Sequence, residues 1–359
     1  MTTSFTDPTA QRLEPITTGA EPHVIGPHLA DVLHDARWRE CQVALIAGGK
    51  SNLTYRVASD AGEVVLRRPP LGHVLPTAHD MVREYRVQAA LEQTAVPVPR
   101  MLYLGEADGV LGASFYVMER VLGHICRNQL PPGYGDAPEQ REAIGSALIA
   151  TLARLHAVAP EAVGLADFGR PAGFMERQLR RWSEQWQRSR IADLPALDAL
   201  RDELVRTLPP QHASTIVHGD YRLDNTILHP TRPGEIVAVL DWEMSTLGDP
   251  FADLGALLAY WSEADDDEVL TAARIVPPVT AASGFPTRAE VVERYARITG
   301  FDVSDLPWYR AFAYLKLAVV CQGIAARAAS GAMLGSGFDE AQGLVQPLVR
   351  AGQHVLALP

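Results

Sequence analysis

The sequence predicts an α+β chain in two lobes: a small N-terminal antiparallel sheet carrying one helix, then a larger, mainly helical C-terminal part. Three observations point there. Short apolar runs broken by Gly and Pro fill residues 41–119, with a single helical pattern among them. From Pro138 onward, apolar residues recur at helical spacing over several long stretches. At 359 residues the chain is long enough for two lobes sharing a cleft, and its 47% hydrophobic and 21% charged residues are ordinary for a globular protein. Strands first and helices after them is the order of an α+β fold. The boundaries read as a tail over 1–25, an N-terminal lobe over 26–122 and a C-terminal lobe over 123–359.

Residues 1–25 are rich in Thr, Pro and Gly without periodicity, and read as a tail or a surface arm. Leu29, Val32 and Leu33 share a helical face, giving a short helix over 27–38. Residues 41–47 form a strand and 54–57 its hairpin partner, with Gly48-Gly49-Lys50-Ser51-Asn52 between them. A Gly-rich turn between strands can lie over phosphates with its N–H groups pointing at them, so Gly49, Lys50, Ser51 and Asn52 are candidate phosphate contacts. The plain alternative is a turn and nothing more. Residues 63–68 are the third strand, ending in Arg67 and Arg68. Met81, Tyr85 and Leu91 mark a helix over 78–94, with Glu84 on it. Pro97 and Pro99 end that connection. Residues 101–105 and 114–119 are the last two strands, and Glu119-Arg120-Val121 leads into a turn at Gly123.

In the second part, Ile144, Leu148, Leu152 and Leu155 mark a core helix over 138–158. A helix over 174–190 carries five arginines (Arg177, Arg180, Arg181, Arg188 and Arg190), with Trp182 and Trp186 on one face. It reads as a solvated basic face or as an anion-binding one. A third helix over 197–208 leads through Pro209-Pro210 to a strand. Then Val217-His218-Gly219-Asp220 and Asn225 precede an apolar strand at 226–228, a Pro/Gly turn at 230–234 and a second strand at 236–240 closed by Asp241-Trp242-Glu243. This is a hairpin pattern. A hairpin brings its open ends together, so Asp220, Asn225 and Asp241 are expected to converge. Carboxylates with an amide and no Cys suit a hard cation such as Mg²⁺. Beyond it, Asp249 reads as a cap ahead of Pro250, and Asp253 as a brace for the loop at 218–220. The acidic run 263–268 could attract a cation or cap the helix expected at 268–276. Helices over 288–299, 308–330 and 342–356 complete the chain, and Tyr260, Trp261, Trp308, Tyr309 and Tyr314 line a pocket or fill the core.

The spacing from Asp220 to Asn225 is that of the Asp and Asn in the protein-kinase catalytic loop. With Gly219 after the His, and Asp-Trp-Glu in place of Asp-Phe-Gly, the pattern resembles the aminoglycoside phosphotransferase/choline kinase family. Within that family it is most similar to the branch found as the kinase-like domain of acyl-CoA dehydrogenase family members 10 and 11 and as stand-alone bacterial proteins. The resemblance covers about residues 26–351. It implies a protein-kinase-like two-lobe fold and transfer of a γ-phosphate from ATP, or from GTP, to a hydroxyl of a small molecule. Asp220 would be catalytic, and Asn225 and Asp241 would hold Mg²⁺. Arg67 stands where the wider family has Lys and would contact phosphate, held by Glu84; Lys50 and Arg68 are rival contacts. Backbone groups around Glu119 and Val121 would meet the adenine. The implied acceptor is a hydroxy-acid or hydroxyacyl-CoA; an aminoglycoside is the alternative. The Arg at position 67 also admits a non-catalytic nucleotide-binding regulator.

Net charge −11 disfavours nucleic acid and anionic membranes as partners. No apolar run reaches about 18 residues, so no membrane span is expected. The three cysteines, Cys41, Cys126 and Cys321, lack metal or redox spacing and suggest a cytoplasmic setting. Only Lys50 and Lys316 are lysines among 32 basic residues.

Overall fold

The computed structural model describes residues 13–14, 16–46, 52–71, 79–329 and 338–357. Two compact units emerge. One runs to Ile125 and takes in Asn225–Arg232 and Ile236–Ser245; the other holds Cys126–Asp224, Pro233–Glu235 and Thr246–Pro359. The hairpin after Asn225 therefore groups with the sheet, whereas the sequence reading put it with the helices.

The first unit opens with β1 (Leu13–Glu14), which pairs with β2 (Gln42–Ile46), so part of the expected tail is a sheet edge. Helix α1 spans Pro22–Val32, five residues ahead of the expected start. Pro22 suits the first helical position, where its missing N–H costs nothing, and Ile25 and Leu29 are fully buried. Strands β3 (Leu53–Ser59) and β4 (Gly62–Arg68) form a hairpin. Helix α2 (Met81–Leu91) precedes β5 (Met101–Gly105) and β6 (Phe115–Glu119). The antiparallel order is β1-β2-β3-β4-β6-β5.

The middle strands are continuously apolar because both faces are covered. Side chains alternate across a strand. Val64, Leu66, Phe115 and Val117 join α1 in one cluster, while Val65, Tyr116 and Met118 join Met81 of α2 in the other. That alternation places the arginines. Arg67 shares the α2 face with Val65, directly opposite Tyr116. Arg68 turns to the α1 face, where its Nη1 donates to the Gly19 carbonyl at 2.6 Å.

In the second unit, α3 (Pro138–His156), α4 (Phe174–Ser189) and α5 (Pro195–Arg206) lead to β7 (Thr215–Val217). The chain then contributes β8 (Thr226–Leu228) and β9 (Ile236–Val239) to the first unit as an antiparallel pair. Returning, β10 (Thr246–Gly248) pairs with β7. Helices α6 (Phe251–Tyr260), α7 (Glu268–Ala272), α8 (Arg288–Thr299), α9 (Leu306–Ala329) and α10 (Phe338–Ala357) follow. Helix α7 is four residues shorter than expected; Pro277 and Pro278 follow soon after it. Helix α9 packs against α10, α6 and α4. Among the described residues it alone is long and apolar enough to cross a membrane, over Leu306–Ala328 with mean hydropathy 1.3, and 67% of that stretch is buried.

Candidate active site

Two clusters of polar side chains, one in each unit, hold Arg67, Glu84, Asn52 and Asp241, and Asp220. The first is built on the α2 face of the sheet. Glu84 lies on the buried stripe of α2 with Met81, Val87, Gln88 and Leu91, a helical spacing that aims its carboxylate at the strands. Arg67 Nε lies 3.1 Å from Glu84 Oε2, and Arg67 Nη2 lies 2.5 Å from Asp241 Oδ1 and 3.8 Å from Glu243 Oε2. Tyr116 donates to Glu84 Oε2 at 2.9 Å. Asn52 Nδ2 donates to Glu84 Oε1 at 3.0 Å and to Glu243 Oε2 at 3.2 Å, while its Oδ1 accepts from His79 Nδ1 at 2.7 Å.

Asp241 reaches this cluster through its backbone. The strand pairing of β8 and β9 is extended by Leu240 N donating to Asn225 O at 2.8 Å, which sets Asn225 beside the exit of β9. Asp241 then takes a left-handed conformation, φ 68°, which Asp tolerates better than most residues. The next residue, Trp242, is buried and its Nε1 donates back to Val239 O at 3.0 Å.

The electrostatics follow from burial. Desolvation pushes the Glu84 carboxyl up to about 7, against the pull of Arg67 and the Tyr116 hydroxyl. Burial works against the Arg67 cation, but Tyr116, Glu84 and Asp241 outweigh it and hold its pKa above the ordinary value. Three carboxylates (Glu84, Asp241 and Glu243) face this one guanidinium. With all three ionised, the cluster carries an excess of negative charge, its nitrogen groups being the guanidinium, the imidazole and the Asn52 amide. Carboxylate oxygens are of the kind a hard divalent cation takes, while among the described residues no three His, Cys, Asp or Glu side chains are grouped to hold one.

The second cluster is built around Asp220. Gly219 before it has φ 86°, a left-handed conformation that L side chains adopt only under strain. The buried Asp253 carboxylate accepts from the backbone N–H of His218 at 2.6 Å and of Gly219 at 2.7 Å. Burial would raise the Asp253 pKa; the hydrogen bond from His156, the charges of His156 and His218 and the His218 N–H hold it below its usual range. The expected brace is therefore present. Asp220 Oδ2 accepts from Arg222 Nε at 3.3 Å, and the Tyr260 hydroxyl lies 3.5 Å from Oδ1. Arg222 also pairs with Asp224 at 2.7 Å and lies 4.9 Å from the Tyr260 ring. Beside these residues opens a depression of about 420 Å³, open solvent included. Arg127, Arg222 and Asp224 supply its polar lining, and Leu257, Val276 and Val279 its apolar wall.

The other expected residues divide into those outside the described chain and those whose surroundings the structure shows. Gly49, Lys50 and Ser51 lie outside the described residues. Asn52, grouped with the phosphate-binding turn, gives its side chain to Glu84, Glu243 and His79. Arg68 is committed to the opposite face of the sheet and is no rival to Arg67 there. Glu119 ends β6 with its backbone N–H bonded to Arg100 O at 2.8 Å, and Val121 follows it, half-buried. Trp308 and Tyr309 are core: Trp308 stacks on Phe312, and Tyr309 donates to Asp249 Oδ2 at 2.8 Å. The acidic run is largely neutralised or capping, since Arg288 pairs with Glu263 and Asp266, Arg274 pairs with Asp266, and Asp267 caps α7. Sequence reasoning passed over Tyr116, Arg222 and Lys316. Tyr116 is named only by the register of β4 and β6, and Lys316 only by the crossing of α9, so neither leaves a local signal.

A sheet of this order carrying a buried Arg–Glu pair, followed by a helical unit with the His-Gly-Asp loop, defines a protein-kinase-like fold. The chain belongs to the phosphotransferase enzyme family, whose model, APH, matches residues 42–278. Among curated relatives it is 38% identical over 285 residues to mouse acyl-CoA dehydrogenase family member 10, covering 79% of this chain and 26% of the relative. It is 35% identical over 325 residues to human acyl-CoA dehydrogenase family member 11, covering 86% and 39%. The chain thus spans about a quarter to two fifths of these relatives' length. A solved structure from Ralstonia eutropha, described as a candidate aminoglycoside phosphotransferase, superposes with TM-score 0.79 at 33% identity, covering 93% of this chain and 98% of that one. At 15% identity, a ternary complex of aminoglycoside phosphotransferase APH(4)-Ia with ADP and hygromycin B shares the fold, with TM-score 0.59 over 93% of this chain and 99% of that one.

Proposed function

We propose that the chain transfers the γ-phosphoryl group of ATP, or of GTP, to a hydroxyl of a small molecule. The observation that carries this reading is the ion pair of Arg67 with Asp241 beside Glu84. It brings together, from distant parts of the sequence, a guanidinium and a carboxylate of the kinds that phosphate and metal binding need. The ADP-bound relative of similar fold supports nucleotide binding.

In this reading Arg67 steadies the α- and β-phosphates, and Glu84 and Tyr116 hold its guanidinium in place. Backbone groups of Glu119 and Val121 would meet the adenine edge, and Gly49, Lys50, Ser51 and Asn52 are the candidate phosphate contacts. Asn225 and Asp241 would hold Mg²⁺, which would neutralise charge on the phosphate oxygens. Asp220 orients the acceptor hydroxyl. The hydroxyl oxygen bonds to the γ-phosphorus as the bond to the leaving ADP oxygen breaks, and the hydroxyl proton passes to Asp220. Arg222 and Tyr260 keep that carboxylate aimed. Positioning and fixed charge supply most of the rate in such chemistry.

For the acceptor we favour a compact anion with an apolar segment, a hydroxy-acid or hydroxyacyl-CoA. The depression sets Arg127 and Arg222 with Asp224 beside an aliphatic wall, Arg222 being paired with Asp220 and Asp224. A polycationic aminoglycoside would need exposed negative charge, and in the 263–268 run Glu263 and Asp266, two of its five carboxylates, are paired with Arg274 and Arg288. We place the protein in the cytoplasm on its isolated thiols.

Asp220→Asn should abolish transfer while leaving nucleotide affinity near native, and Asp241→Ala should weaken affinity for Mg²⁺-ATP. Calorimetry and ADP release measure both; native turnover in Asp220→Asn would remove its assigned role. A thermal-shift screen with Mg²⁺ and a non-hydrolysable ATP analogue should stabilise the protein with hydroxyacyl-CoAs and not with aminoglycosides. The reverse pattern would overturn the acceptor assignment.

A further inference from the structure

Lys316 stands in the middle of α9, in the most membrane-like stretch of the described chain. An ammonium among apolar side chains is costly unless paired. Its Nζ donates to the Gly219 carbonyl at 2.9 Å and lies 5.8 Å from the centre of the Trp182 ring. Trp182 is itself buried. Burial draws the Lys316 pKa below its ordinary value, while Asp220 and Asp253 oppose that shift and Arg181 reinforces it.

The consequence lies in the backbone before Asp220. Gly219 is the most permissive residue the chain could place there, and it sits at φ 86°. Its N–H is fixed by Asp253 at 2.7 Å and its C=O by Lys316 at 2.9 Å. Asp220 N donates to His218 Nδ1 at 3.2 Å. A flexible glycine is thus clamped on both sides, by an anion from α6 and a cation from α9. The clamped C=O belongs to the peptide that begins Asp220.

We propose that Lys316 is a positioning residue for Asp220: its ammonium holds the Gly219 carbonyl, fixes the peptide that presents the Asp220 carboxylate, and keeps a positive charge beside the loop. It touches no reacting atom. The inference rests on the reading of Asp220 as the group that receives the acceptor proton.

The test uses the full chain and Lys316→Met, which keeps length and shape in an apolar helix but leaves the Gly219 carbonyl without its donor, so its melting temperature, expected below the native one, is recorded first to show that it folds. ADP release from ATP and Mg²⁺ is followed with a hit from the acceptor screen, or with water as acceptor. The expected result is kcat lower by about ten- to a hundredfold with KM for ATP unchanged within about twofold, as for lost alignment and retained nucleotide binding. Native kcat in a folded Lys316→Met protein would overturn the proposal, as would a rise in KM alone. A second measurement needs no turnover. The chain has two lysines, so ε-¹³C-lysine labelling gives two side-chain signals, and Lys316→Met identifies one by its loss. That signal should move in Asp220→Asn; an unmoved signal overturns the proposal. The two readings fail separately. Native turnover in Asp220→Asn removes the role of Asp220 while the lysine signal still reports the contact. An inactive Asp220→Asn beside a fully active Lys316→Met removes only the lysine's role.

Discussion

Glu84 is the residue on which the first unit's polar cluster turns. It is 1% exposed and bonded by Asn52 and Tyr116, with the Arg67 guanidinium beside it. Burial raises its pKa from the ordinary 4.5 to about 7. Below about 4.5 the folded and unfolded chains both carry the proton. Between about 4.5 and 7 the unfolded chain releases it first, so stability present at low pH is lost as the pH rises, and the loss levels off above about 7. The full difference is worth at most about 3 kcal/mol. Glu84→Gln should flatten this part of the stability profile. Denaturant melts of both proteins from pH 4.5 to 7.5 would check it; parallel profiles would show that Arg67 already holds Glu84 ionised throughout. Arg67→Met should act in the opposite sense at neutral pH, leaving a buried carboxylate without its cation and costing about 3–5 kcal/mol. The Lys-to-Arg change at 67 has a visible consequence, since a fork can face Glu84 with one nitrogen and Asp241 with another.

At the scale of elements, the strands and long helices were legible because their signals are local. The short apolar runs of β4 and β6 and the repeating Ile/Leu stripe of α3 are properties of a few neighbouring residues. The backbone pairing that sets Asn225 beside Leu240, just ahead of Asp241, was legible for the same reason, since a hairpin joins its two ends by its own turn. What escaped was set by packing between distant segments. Arg68 is next to Arg67 in sequence, and only the covered second face of the sheet sends it to Gly19. Helix α1 begins at Pro22 because Ile25 and Leu29 have a core to enter, which no local pattern announces. The crossing of α6 and α9 is another such case. A Cβ built on Gly255 would lie 2.6 Å from the Tyr309 backbone carbon and 2.8 Å from its carbonyl oxygen. Backbone cannot move aside as a side-chain tip can. Gly255→Ala should therefore force the helices apart and cost about 1–3 kcal/mol, read as a lower denaturation midpoint. Thr287→Ala, at the capping box of α8, should cost only about 1 kcal/mol, because it removes a cap and leaves the packing intact. Equal losses in the two variants would mean that the α6–α9 crossing can relax.

At the scale of the whole molecule, α9 poses a choice between two environments. By length and hydropathy, Leu306–Ala328 would serve in a bilayer, and the sequence reading missed this by looking for an unbroken apolar run. Three features weigh against a bilayer. The helix carries Arg310, Lys316 and Arg327, and a charge near a bilayer centre costs at least about 2.5–3.5 kcal/mol. Its apolar surface is largely taken up by protein, with α10, α6 and α4 packed on it. Two of its polar groups are tied to distant segments, Lys316 to the Gly219 carbonyl and the Trp308 indole N–H to the Leu204 carbonyl at 3.1 Å. Moving α9 into lipid would break these ties and expose the faces of α6 and α10 together. The full chain, expressed and lysed without detergent, should therefore stay in the supernatant after ultracentrifugation and should not bind anionic vesicles at physiological salt, where its net charge of −11 adds repulsion. Recovery in a membrane pellet that resists alkaline carbonate would mean that α9 leaves its packing. In that case the ammonium of Lys316 could no longer reach the loop it holds.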